Sequence, residues 1–146
     1  MNMTLDKFTI KAQETVQEAV NLAQSSGQQS IEPVHLLKAI MTKAKDVSNF
    51  IFQKLGVNSR QVEMLIDSEI SHLPRVQGGQ PYLSADTNQT LQRAVETAQK
   101  MGDQFVSVEP ILLAIVASNY TASRILKDAG CSEKEMRKAI NELRQG

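Results

Sequence analysis

The sequence predicts an all-α fold of eight helices, arranged as two pseudo-repeated four-helix units, and three observations carry that reading. One stretch occurs twice: TVQEAVNLAQSSGQQSIEPVHLLKAIM, from Thr15, falls without a gap on TLQRAVETAQKMGDQFVSVEPILLAIV, from Thr90. Thr15, Gln17, Ala19, Val20, Ala23, Gln24, Gly27, Gln29, Leu37, Ala39 and Ile40 all meet identical residues. Apolar residues recur at three- and four-residue intervals along the chain, the spacing of a buried helical face. No stretch alternates apolar and polar residues as a half-buried strand would. A repeat of this length separates what both copies need for folding from what only one copy has.

The elements follow in order. Thr9 is placed to cap a first helix whose buried face is Ala12, Val16, Ala19, Val20 and Ala23; Ser84 stands at the same place in the second copy. Gly27 and Gly102 suit the left-handed position that ends such a helix. Glu32 and Ser107 stand where a second N-cap is expected, with Pro33 at the first helical position and Pro110 still within the first turn. The apolar run Leu36, Leu37, Ala39, Ile40, Met41 forms the second helix, mirrored by Ile111 to Val116. With one residue of slippage, Ile51 pairs with Ile125, Gly56 with Gly130 and Ile66 with Ile140. A third helix therefore carries Phe50, Ile51 and Leu55 and stops at Gly56, while its counterpart carries Ile125, Leu126 and Ala129 and stops at Gly130. The fourth helices open on the capping pairs Asn58 with Gln61 and Ser132 with Glu135. Behind these caps run Val62, Leu65, Ile66, Ile70 and then Met136, Ala139, Ile140, Leu143. Repeat 1 spans about residues 5–72 and repeat 2 about 84–146. The connector 73–83 contains Pro74, Pro81 and the pair Gly78–Gly79, which break any helix there.

Composition narrows the function. The 146 residues are 41% hydrophobic and 22% charged, a globular balance in a chain long enough for a real core. Sixteen basic residues offset sixteen acidic ones, which argues against a general nucleic-acid binder with its basic face. No apolar run reaches bilayer length and no signal-peptide pattern opens the chain, so a cytoplasmic location is expected. One cysteine excludes an intrachain disulfide. The phosphate-cradling G-x-x-x-x-G-K-[ST] is absent, as are G-x-S-x-G and H-E-x-x-H. No catalytic residue, cofactor or metal is expected within these residues. His35, His72 and Cys131 lack metal-ligand spacing and read as structural, Cys131 as a small hydrophobe aligned with Val57. Asp103 and Glu109 differ from this pattern, because the first copy has Gln28 and Val34 in their places. Acidic in one copy and uncharged in the other, they read as an acidic rim on a binding groove or as favourable helix-terminal carboxylates.

The duplicated unit, with F-T-x-K-A-Q at Phe8 to Gln13 and I-E-P-V-H-L-L at Ile31 to Leu37, resembles the Clp repeat. Two such repeats form the N-terminal domain of the Clp family of AAA+ ATPases. L-P-R-V-Q-G-G from Leu73, Y-L-S at Tyr82 and F-V-S-V-E-P at Phe105 resemble its ClpB-type disaggregases most closely. So does the ending A-I-N-E-L-R-Q-G from Ala139. The resemblance implies a non-enzymatic domain that engages unfolded or aggregated polypeptide for delivery to a hexameric, ATP-driven pore. ATP, magnesium, the coiled coil and hexamer formation then belong to the rest of such a parent, and the isolated domain is expected to be monomeric. By motif match, Thr9, Asp103 and Glu109 would be polar residues at the rim of a substrate groove between the repeats. The sequence departs from the pattern at Pro110, where a leucine or histidine is usual, and at Arg93 and Thr97, where some relatives carry leucines. An alternative is docking of a folded adaptor, as in protease-coupled Clp ATPases. A helix-turn-helix role in DNA binding is a third reading, and zero net charge weighs against it.

Overall fold

The longest apolar runs lie at the centre of the molecule, in helices α2 (Pro33–Lys43) and α6 (Val108–Val116) of a computed structural model that describes residues 4–146. Leu36, Leu37, Ile40, Leu112, Leu113 and Ile115 are all at most 1% exposed. Helix α1 (Ile10–Ser25) covers α2, and α5 (Ala85–Lys100) covers α6 in the same manner. Helices α3 (Lys45–Lys54), α4 (Ser59–His72), α7 (Thr121–Asp128) and α8 (Glu133–Gln145) then close the sides. They do so across copies: α3 packs on α8 and α4 on α7, while α2 touches α6. The apolar faces of both copies thereby merge into one core.

Local chemistry explains the boundaries. Thr9, Ser84, Asn58 and Ser132 each accept the backbone N–H three residues on, at 3.0–3.2 Å, as N-caps do. Gly27 and Gly102 adopt φ of +72° and +78°, the left-handed turn that ends α1 and α5. Met41 and Met101 pack against the core as partly buried side chains. Leu65 differs from expectation. Helix α4 buries Val62, Ile66 and Ile70, a strict four-residue row, and this rotates Leu65 out to 44% exposure beside exposed Met64.

Short extended pairs also appear where no strand pattern was expected. Strand β1 (Ser30–Ile31) pairs in parallel with β2 (Tyr82–Leu83), and Phe8 makes an isolated parallel bridge with Val106. Each pair joins the segment before the first helix of one copy to the segment before the second helix of the other. Two residues are too few for a period-two pattern to register, and the partners lie far apart in sequence. The connector is pinned to the same place, since Val76 N–H donates to Gly27 O and the Gln29 side chain donates to Gln80 O.

Candidate functional site

The Phe8–Val106 bridge sets the site. Thr9 N–H donates to Val106 O at 2.9 Å and Val106 N–H donates to Lys7 O at 2.7 Å, so the start of α1 is fastened to the loop between α5 and α6. Asp103 lies in that loop and Glu109 in the first turn of α6. Both are held by Arg144, in the last turn of α8. Its guanidinium donates Nη1–H to Asp103 Oδ1 at 3.0 Å and Nη2–H to Asp103 Oδ2 at 2.9 Å, a parallel fork. Nε–H and Nη2–H also reach Glu109 Oε1 at 3.2 and 2.9 Å. Ser107 Oγ completes the clasp, accepting from Arg144 Nη2–H and donating to Glu109 Oε1. Burial opposes the guanidinium charge, but the hydrogen bonds and attraction of Asp103 and Glu109 outweigh it and hold Arg144 charged. A partly exposed fork of this kind stabilises by about 1 kcal/mol.

The first copy builds the same joint with different chemistry. Gln28, at the position of Asp103, is 4% exposed, and its side-chain N–H donates to Ile70 O at 2.6 Å in the last turn of α4. Its carbonyl faces His35 Nε2 at 2.7 Å. Glu32 N–H donates to His35 Nδ1 at 2.9 Å, so the ring carries its proton on Nε2 and donates to Gln28. Burial lowers the His35 pKa to about 4, and the imidazole stays neutral. In both copies, then, the loop after the first helix is tied to the end of the fourth helix. A buried neutral chain does this in copy one, and a partly exposed ionic clasp does it in copy two.

Two exposed apolar side chains flank the Thr9–Val106 junction. Ile10 is 75% exposed and Phe105 is 49% exposed, although large aliphatic and aromatic side chains favour the interior. The Thr9–Val106 hydrogen bond ties Ile10 to the segment that carries Phe105, Asp103 and Glu109. A second depression, about 270 Å³, opens between the copies where Glu32, the residue capping α2, and Val34 face Tyr120 and Arg124 near the start of α7. Glu69 and Asp86 also line it. It lies on the first-copy counterpart of the Ser107–Glu109 segment and contains none of Thr9, Asp103 or Glu109.

The structure thus brings Thr9, Asp103 and Glu109 to one neighbourhood, with Thr9 also serving as the α1 cap. Of the three departures from the family pattern, Pro110 is buried, Thr97 is half-buried, and Arg93 is exposed with its guanidinium donating to Ala117 O. Arg144 was missed by sequence reasoning. Its signal was a charge four residues after buried Ile140, on the face that should be apolar, in a copy with two unmatched acids. His35 and Cys131 are fully buried, and burial pushes the Cys131 thiol up to about 11. Among the described residues, no helix is long and apolar enough to cross a membrane.

Comparisons with known proteins agree on the fold. The family described as Clp repeat (R) N-terminal domain matches residues 7–129. The chain is 57% identical over 144 residues to chaperone protein ClpB of Bacteroides thetaiotaomicron, covering 99% of this chain and 17% of that relative. It is 47% identical to chaperone protein ClpB of Porphyromonas gingivalis, with the same coverage. The chain therefore spans about a sixth of the length of these curated relatives. The solved Hsp104 N-terminal domain of Candida albicans superposes with a TM-score of 0.80 at 22% identity, over 95% of this chain and 92% of that one. A solved complex of a ClpV N-domain with a VipB peptide superposes at 0.76 with 15% identity, over 96% and 91%. At those identities the two structures speak for the fold alone.

Proposed function

We propose a substrate-capturing role for this chain, which belongs to the family of Clp repeat N-terminal domains. As the N-domain of a ClpB-type disaggregase, it binds apolar segments of unfolded or aggregated polypeptide. ATP, magnesium and the hexameric ring belong to the remainder of such a parent. The observation that carries the reading is the exposed pair Ile10 and Phe105 beside Thr9, Asp103 and Glu109. An apolar pair reads exposed hydrophobic side chains without demanding a sequence, and the carboxylates favour segments that also carry positive charge. The likeness to a ClpV N-domain seen with a VipB peptide supports peptide capture by this fold.

Such a site is weak by construction. It offers few fixed hydrogen bonds, and a disordered ligand loses entropy on binding. Six copies on one ring restore the affinity through effective concentration. The isolated domain is monomeric in this account. A second reading, docking of a folded adaptor, is favoured by the inter-copy depression with Glu32, Glu69 and Asp86, which is larger than a single side chain needs.

Titration of the isotope-labelled domain with an unstructured synthetic peptide of leucine, lysine, serine and glycine separates the two. Amide shifts centred on Thr9, Ile10 and Phe105 to Glu109 are expected. Shifts confined to Glu32–Val34 and Tyr120–Arg124 would move the site to the depression. No shift at either place would remove the reading.

A further inference from the structure

We infer that Arg144 is an internal occupant of the binding site, so that substrate contact with Asp103 and Glu109 and the Arg144 clasp exclude one another. This rests on the substrate-capturing role proposed above and adds its regulation.

The way Arg144 covers both acids supports it. Asp103 spends both carboxylate oxygens on the Arg144 fork. Glu109 Oε1 already takes two guanidinium N–H groups and the Ser107 hydroxyl. The two acidic side chains keep only 20% and 15% of their exposure, while Arg144 covers them and is itself 31% exposed. A cationic group that takes the face of both carboxylates now covered by Arg144 therefore displaces the guanidinium. The cost of doing so is small, because a partly exposed ion pair contributes little net free energy.

Displacement has a consequence at the end of α8. The last fully buried residues of that helix are Ala139 and Ile140. Beyond them the final turn is held by partly buried Leu143, by the exposed Glu142–Lys54 pair at 3.3 Å, and by Arg144. With Arg144 released, that turn frays, since a helix end without tertiary anchors is marginal. Occupation of the site is thereby converted into loosening of the end of the domain. The first copy has no such device, because its joint is closed by buried Gln28 and a backbone carbonyl that no substrate can replace.

Binding of the leucine–lysine–serine–glycine peptide to wild type, Arg144→Gln and Arg144→Lys tests the inference, with the Arg144 Nε–H resonance and hydrogen exchange at 143–146 followed in wild type. Thermal melts verify that each variant is folded, and Arg137→Gln on the exposed face of α8 serves as the surface control. The peptide is expected to shift the Arg144 Nε–H signal and to speed exchange at 143–146. Arg144→Gln is expected to bind about five-fold tighter, the effect of removing a competitor held by roughly 1 kcal/mol, with Arg144→Lys between the two. Peptide binding with Arg144 Nε–H and 143–146 unmoved, and equal affinity for Arg144→Gln, would overturn the clasp while leaving substrate capture standing. Absence of binding in every form would overturn both.

Discussion

Leu112→Ala is expected to cost about 3 kcal/mol and to lower the melting temperature by roughly 10 °C. Leu112 is 0% exposed in α6, the helix that α5 covers and that touches α2, α7 and α8. The truncation leaves a void walled by rigid helices on several sides, so collapse recovers little of it. Urea unfolding checks the value, and the slope against urea should stay unchanged. The sharper expectation is cooperativity. Since both copies share one core, circular dichroism should show a single transition in the variant, as in wild type. Two separated transitions would mean that the copies fold as independent units.

Acid should weaken the protein through His35. Its folded-state value lies near 4, below the ordinary 6.5, because burial disfavours the charged ring. The unfolded chain therefore takes up a proton at a pH where the folded chain does not. The stability tied to the neutral ring is fully present above about 6.5 and is lost as pH falls from there through about 4. At about 1.4 kcal/mol for each tenfold rise in proton concentration, the full loss is on the order of 3 kcal/mol. Protonation also puts a second donor on Nδ1, which now accepts from Glu32 N–H. Urea melts at several pH values on wild type and His35→Gln check it. The variant should be the flatter of the two across this window, since its amide does not titrate. Equal pH dependence in both would place the acid lability elsewhere.

Much of the fold was legible because the features that specify helices are local. Caps at Thr9, Ser84, Asn58 and Ser132, and the glycines at 27 and 102, are read from single residues and their near neighbours. The identical spacing in both copies doubled each signal. Leu65 was misplaced because a four-residue apolar row can be read one position to either side, and packing against neighbouring helices decides between them. The parallel pairings of Ser30–Ile31 with Tyr82–Leu83 and of Phe8 with Val106 were invisible, being two residues or fewer and formed across the copies. At the site, Asp103 and Glu109 stood out because their counterparts Gln28 and Val34 carry no charge. Their partner did not stand out, since Arg144 lies far along the chain and its role exists only once α8 has docked. The contrast between copies then acquired a physical meaning: one joint is sealed by a neutral buried chain, the other by an ionic clasp that can open.

That contrast makes the two sides of the clasp unequal. In the proposed role, removing Arg144 frees the carboxylates, whereas removing the carboxylates takes away part of the proposed site. The affinity of folded Asp103→Asn/Glu109→Gln for a fluorescently labelled unfolded polypeptide, measured beside wild type, tests this most directly. Binding about tenfold weaker than wild type is the expected result, about 1.4 kcal/mol lost. Affinity equal to wild type would contradict it and leave Asp103 and Glu109 as parts of the fold alone.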